Sequence, residues 1–389
     1  MNACDCEQLA VSQLRVLSGK SRLLMNRPHV SLLVAATAAL CFAPVAGAVA
    51  PAPSYTLQVA GFFQGADVGL VTGMNNSGQT VFIQHWSGTH SYWWDGVQQV
   101  ELLSGDSSSQ SVVTDLDDSG VAVGMRIVGG TTPLAMIWEQ GVPRNLGTLG
   151  GTRSEAIAIN GLGVVAGWSL VPGGGLHLFT WDEGFTDLGP MPDNATCCQD
   201  IQAINNAGQI VGHAGTLLDG WVYNGGQYTK LPDLNGGFGS TPRDINNAGL
   251  IVGASYPQQA NMKPVSWTGA QVQALPLPPG ATGGTAYAVN EQNEIVGTTI
   301  LPNSAPGNLP HATLWKDGTS YLLQDVVANL GDWQLRHAEQ INDQGQILVF
   351  GYSNTFSFQR LILTPVPEPG AVMLSVIGVS LVIFRARRR

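Results

Sequence analysis

Three histidines each stand four residues ahead of a tryptophan: His90 before Trp94, His177 before Trp181 and His311 before Trp315. Imidazole is a common metal ligand, so three at one recurring position raise a metal reading. They fall in separate repeats, however, and a ring would hold such positions far apart unless they lined its axis. A structural hydrogen bond is the better account, and no metal or cofactor is expected. The stretch Asp115-Leu116-Asp117-Asp118-Ser119-Gly120 raises a calcium loop. It lacks the downstream bidentate Glu and the spacing of an EF-hand. A glycosidase needs two carboxylates facing across a pocket, and Asp67, Asp200, Asp244 and Glu339 are the candidates on loops at one face. No pair among them stands out. Nucleophile elbow, zinc signature and phosphate-binding loop are all missing, so no catalytic residue is expected. Adjacent Cys197 and Cys198 are the cysteines that outlast a cleaved leader. A vicinal disulfide, a bond to another chain and two free thiols are all open to them.

The elements that must position these side chains are announced by a repeat. An aliphatic residue, then Asn-x-x-Gly, then a valine-rich run recurs seven times, with anchors at Asn75, Asp117, Asn160, Asn205, Asn246, Asn290 and Asn342. Their spacings are 42, 43, 45, 41, 44 and 52 residues. A period of this size means stacked or radially arranged units. Asn or Asp folds back onto the backbone two residues on, and Gly accepts positive φ, so each anchor marks a hairpin turn. A third strand ending in Trp follows, then a second turn and a short fourth strand. Four short strands per repeat is the content of one β-propeller blade.

The predicted architecture is therefore all-β, a seven-bladed propeller over residues 51–364. The last repeat stops after three strands, and a spare strand at Tyr55–Val59 precedes the first. Pairing those two closes the ring and removes an exposed sheet edge. The tryptophans 94, 138, 181, 267 and 315, with Tyr223 in their place in the fourth unit, read as packing between blades.

Both ends read as addresses. Arg22 and Arg27, an apolar run from Val30 to Phe42 and Ala46-Gly47-Ala48 form a signal peptide within residues 1–50. Met25 makes a more ordinary start for it, and cleavage is expected after Ala48 or Ala50. At the other end, residues 365–389 contain Pro367-Glu368-Pro369, an apolar run from Ala371 to Phe384, and a basic tail of Arg385, Arg387, Arg388 and Arg389. Fourteen apolar residues are short for a stable span and suit transient insertion into the inner membrane as a helix. The arginines would hold the tail in the cytoplasm.

That order of motif, apolar segment and basic tail resembles the PEP-CTERM sorting signal of Gram-negative bacteria. The resemblance implies processing by an exosortase, a membrane thiol protease, on the way to the cell surface or exopolysaccharide matrix. The repeats resemble the HAF family of extracellular repeats, most closely over Asn145-Leu146-Gly147-Thr148-Leu149-Gly150-Gly151 and Ala158-Ile159-Asn160-Gly161-Leu162-Gly163-Val164-Val165-Ala166-Gly167. His90, His177 and His311 fall on that family's His position. This second resemblance implies fold and address only.

Charge narrows the partners. Residues 51–369 hold 9 cationic against 25 acidic side chains, a net −16. So acidic a body excludes nucleic acid and is repelled by anionic membranes, leaving polysaccharide and other surface proteins. The expectation is an exported, non-catalytic binding or structural propeller, with a glycan-active enzyme on the same scaffold as the alternative.

Overall fold

The computed structural model describes residues 52–60, 70–84, 89–105, 109–192, 199–214, 219–258, 261–302 and 309–367. Outside them lie the leader, Asp67, Cys197, Cys198, everything from Glu368 onward and both expected terminal helices. Seven four-stranded antiparallel sheets follow one another along the chain. In six of them the strands are consecutive, each sheet a meander. Successive first strands adjoin one another around the molecule, and that of the seventh sheet adjoins that of the first. The first strands thus surround an axis, and the fold is a seven-bladed β-propeller.

The seventh blade takes three strands from the last repeat, Gln334–Ile341, Ile347–Ser353 and Ser357–Pro365. Its fourth is Tyr55–Val59, with Tyr55 opposite Pro365 and Val59 opposite Leu361. The spare strand therefore closes the ring, as its position in the sequence predicts. Tyr55 is 2% exposed and packs into the core between blades 6 and 7.

Each inner strand carries a β-bulge shortly before the turn residue: between Val71 and Gly73, Val113 and Asp115, Ala156 and Ala158, and at the matching place in the other four blades. A bulge pushes backbone out of the sheet plane, so its neighbour must be small. That neighbour is the Gly closing the valine-rich run. A Cβ on Gly124, Gly167, Gly253 or Gly297 would lie 2.0–2.1 Å from a carbonyl of the inner strand. Close backbone approach, rather than turn geometry, accounts for this glycine.

Trp94, Trp138, Trp181, Tyr223, Trp267 and Trp315 are buried between blades. Three of them also hydrogen-bond across the joint. Trp138 Nε1 donates to the Leu103 carbonyl at 2.7 Å, Trp267 Nε1 to Pro232 at 2.9 Å and Trp315 Nε1 to Pro276 at 2.7 Å, each in the loop leaving the preceding blade. Such a bond contributes about 1 kcal/mol beyond the ring's burial.

Candidate functional site

The seven turns between first and second strands gather at one end of the axis, and each is built the same way. Asn75 Oδ1 accepts the amides of Ser77 at 3.1 Å and Gln79 at 3.0 Å, two and four residues on. Asn160, Asn205, Asn290 and Asn342 repeat both bonds, and Asp117 makes them to Ser119 at 2.9 Å and Val121 at 2.8 Å. In the sixth turn Asn293 takes the left-handed place of the glycine, with φ 61°.

The other half of the amide reaches the next blade. Asn75 Nδ2 donates to the Asp117 carbonyl at 2.9 Å, Asn160 to Asn205 at 3.0 Å, Asn205 to Asn246 and Asn246 to Asn290 at 3.1 Å each. Asn290 donates to Asn342 at 3.2 Å, and Asn342 closes onto Asn75 at 3.0 Å across 267 residues. Six joints are linked in one rotational sense. At the joint of blades 2 and 3 the anchor is Asp117, which has no side-chain N–H to reach the Asn160 carbonyl.

A second ring lies one residue further along. The Asn76 amide donates to Asp118 Oδ1 at 2.8 Å, Asn206 to Asn247 at 2.7 Å and Asn247 to Glu291 at 3.0 Å. The Glu291 backbone N–H donates to Asp343 Oδ1 at 2.8 Å and the Asp343 backbone N–H to Asn76 Oδ1 at 2.6 Å. Asn76 Nδ2 additionally bridges Asp118 and Asp343 at 2.8 Å each. Gly161 in the third blade offers no side-chain acceptor, so this ring is interrupted where blades 2 and 3 meet, and among the described residues no such bond joins blades 3 and 4 either.

Together the turns surround a cavity of about 150 Å³ at the axial mouth, lined by residues of blades 1, 2, 3, 6 and 7, among them Asp117, Asp118 and Asp343. Two more carboxylates stand just inside. Asp115 Oδ1 accepts its neighbour Leu116 N–H at 2.8 Å and Oδ2 accepts Ile159 N–H of the next blade at 2.9 Å. Asp244 does the same with Ile245 and Val289, both at 2.8 Å. Burial pushes Asp115 up to about 7 against these amide bonds, with Asp244 and Asp117 adding repulsion. Burial likewise lifts Asp244 to about 6, with Glu291 and Asp343 adding to it.

This placement corrects the loop expectation for three of the candidate acids. Asp244 and Glu339 lie on inner strands, not on loops. Asp244 takes the position just after the bulge, and Glu339 occupies a bulge in blade 7. Glu339 is spent on Arg360, which grips it through Nε at 2.7 Å and Nη2 at 3.2 Å. Burial raises Glu339 while Arg360 opposes the rise. Asp200 lies on an inner strand as well, its side chain outside the described residues. The histidines stay on third strands, and two pair with an acid of the fourth: His90 with Glu101 at 2.7 Å and His177 with Asp187 at 2.8 Å. His311 meets Gln324 instead, and burial pulls its pKa below the ordinary range. Among the described residues no three metal-ligating side chains come together. Asp117 uses its carboxylate on the turn, its Oδ1 also accepting the Ser119 hydroxyl at 2.8 Å.

The links between blades were missed in the sequence, although a signal for them was there. A turn cap is served as well by Asp as by Asn, yet six of the seven anchors are Asn. Only the amide can cap with its oxygen and donate with its nitrogen.

No family model matches the chain, and no curated protein matches it. Solved structures do. The β-propeller domain of the Trilobed protease from Pyrococcus furiosus, described as an open velcro topology, is 10% identical with a TM-score of 0.50, over 77% of this chain and 98% of that one. A prolyl endopeptidase is 8% identical with a TM-score of 0.50, over 88% of this chain and 56% of that one. This chain thus spans little more than half of that peptidase. YCF48 from Cyanidioschyzon merolae is 10% identical with a TM-score of 0.48, over 79% and 98%. At these identities the likeness to the first two is one of fold.

Proposed function

We propose that the protein is an exported, non-catalytic propeller of the cell surface or extracellular matrix, binding or organising polysaccharide or other surface proteins. In this reading an exosortase-type enzyme recognises Pro367-Glu368-Pro369 while Ala371–Phe384 is in the inner membrane and Arg385, Arg387, Arg388 and Arg389 hold its cytoplasmic end.

One observation carries the non-catalytic half. The carboxylates at the axial mouth are committed to holding blades together. Asp115 and Asp244 each spend both oxygens on backbone amides, and Asp118 and Asp343 spend theirs on amides and the Asn76 side chain. A general acid or nucleophile needs an oxygen turned to substrate. The second reading, a glycan-active enzyme, draws on the raised Asp115 and Asp244, since a raised acid is a usual proton donor.

Hydrolysis assays on polysaccharides with wild type and Asp115→Asn/Asp244→Asn separate the two. No turnover by wild type fits the binding propeller, and turnover abolished in the double variant establishes the enzyme. The address is tested by the intact mass of protein recovered from the producing cells' surface. A chain still carrying Arg385 to Arg389 would defeat exosortase processing.

A further inference from the structure

The strand that closes the ring also holds the far end of the chain. Ser357–Pro365 is paired on both edges, but the two pairings stop at different residues. Toward the interior of blade 7 the register ends at Leu363, opposite Ile347. Toward the rim it runs on, with Thr364 opposite Thr56 and Pro365 opposite Tyr55. The Val366 amide then donates to the Ser54 carbonyl at 2.8 Å. Among the described residues, 364–366 thus have their backbone partners in segment 54–59 alone. Pro367, the first residue of the proposed sorting motif, follows at once.

That segment is gripped from its other edge. Asn329, in the loop between blades 6 and 7, bonds Leu57 twice. Its Oδ1 accepts the Leu57 amide at 2.6 Å and its Nδ2 donates to the Leu57 carbonyl at 3.0 Å. The Ala328 amide donates to the Tyr55 carbonyl at 2.8 Å, and the Tyr55 ring is buried. Leu361, Ile362 and Leu363 are buried as well, whereas Thr364 and Val366 are exposed. Burial therefore holds the chain as far as Leu363, and segment 54–59 holds the next three residues.

Those three residues decide how far the motif can reach. An extended chain from Val366 to Ala371, where the apolar run begins, spans at most about 17 Å, and from Leu363 about 27 Å. With Ala371–Phe384 in the bilayer, the shorter reach leaves little room for an enzyme between propeller and membrane. A cleft that receives an extended peptide also needs that peptide's backbone groups free. Here they are taken up to Val366. When opening and closing are fast, cleavage of a closed segment follows the population of its open form.

We propose that segment 54–59 is a strap over the sorting site. A membrane processing enzyme reaches Pro367-Glu368-Pro369 through the form in which residues 364–366 have left their N-terminal partners. This rests on the reading of residues 365–389 as a sorting signal and adds what governs its use. Release is then tied to the state of the joint that closes the ring.

Conversion of the full chain to a form lacking Arg385–Arg389 is followed in the producing cells by pulse-chase and intact mass. Asn329→Ala removes two hydrogen bonds from the strap and should speed conversion about tenfold. Hydrogen exchange at the Val366 amide of the purified chain should rise by the same factor. A short Gly-Ser linker between Val366 and Pro367 should speed conversion at least as much without moving the unfolding midpoint. Asn329→Ala added to that linker variant should bring no further gain. Asn354→Ala, exposed in the same blade but outside the strap, should convert as wild type does.

A wild type that is processed, with the linker and Asn329→Ala variants at the same rate, would overturn the strap and leave the sorting signal standing. Faster conversion of Asn329→Ala with exchange at Val366 unchanged would likewise overturn the strap. Arg385–Arg389 kept by wild type and by the linker variant alike would overturn the sorting signal and the strap together.

Discussion

The joint between blades 2 and 3 and the joint between blades 5 and 6 are made from the same backbone and held in different ways. At the 5/6 joint Asn246 Nδ2 reaches the Asn290 carbonyl, the Asn247 amide reaches Glu291, Asp244 staples Val289 and Trp315 caps Pro276 at the rim. At the 2/3 joint the first two links are missing, because Asp117 cannot donate and Gly161 cannot accept. Asp115 to Ile159 and the Thr114 hydroxyl to the Ala156 carbonyl at 3.0 Å remain near the axis. The rim there is held by charge: Arg144 lies 4.8 Å over Trp181 and 3.1 Å from Glu183. A ring of near-identical repeats thus has one joint that lacks the Asn side-chain link and carries an ion pair at its rim. Packing is shared by all seven joints, so hydrogen-bond inventory is what sets them apart.

The largest effect is expected from rebuilding the 5/6 joint in the image of 2/3. Asn246→Asp with Glu291→Gly removes two links and sets a carboxylate against a carbonyl, at a cost of roughly 3 kcal/mol in denaturant unfolding. Unchanged stability would mean that the links are geometric accompaniments of packing.

Acidity should act next. Asp115 at about 7 and Asp244 at about 6 hold their protons in the fold where an unfolded carboxyl has lost them. The folded state therefore binds more protons between about pH 4 and 7, and stability falls as pH rises through that window. Asp244→Asn should flatten the lower part of the slope and Asp115→Asn the upper part, read from melting temperature against pH. Asp115→Asn should be the more damaging at its own joint, where fewer links remain.

Repair should give a smaller gain. Asp117→Asn with Gly161→Asn restores a donor and an acceptor, worth about 1–2 kcal/mol together. Gly161 does not take a positive φ, and a Cβ on it would come no closer than 3.4 Å to the Asn206 side chain. The smallest change belongs to the exposed rim. Arg144→Met should leave the melting temperature nearly as it was and remove only salt sensitivity, since exposed ion pairs are screened.

Much of this organisation was visible in the chain. Blade number, turn positions and the closing strand all follow from patterns within about 50 residues, and Asn293 in the glycine place shows how tolerant that pattern is. The tryptophans at strand ends were legible as packing because periodicity alone implies a shared environment. What escaped was whatever depends on a partner one blade away. Asn75 Nδ2 finds its carbonyl 42 residues downstream, and nothing local distinguishes a turn cap from a turn cap that also reaches its neighbour. The bulge escaped for a related reason. It turns Asp244 and Glu339 into strand residues, yet its sequence mark is a glycine on a different strand.

The closing strand also has a consequence in time. Thr56 lies beside Thr364, 308 residues later, and the Val366 amide bonds to the Ser54 carbonyl at 2.8 Å. Contacts of such long range are the slowest to form, because the intervening chain must be ordered before they give anything back. Synthesis delivers the Tyr55 strand first and its partner last, so blade 7 stays one strand short until Ser357–Pro365 emerges. Through that interval the buried ring of Tyr55 and the edge of the last sheet have no cover. A folding nucleus among the middle blades, with the seventh docking late, is the order this topology imposes.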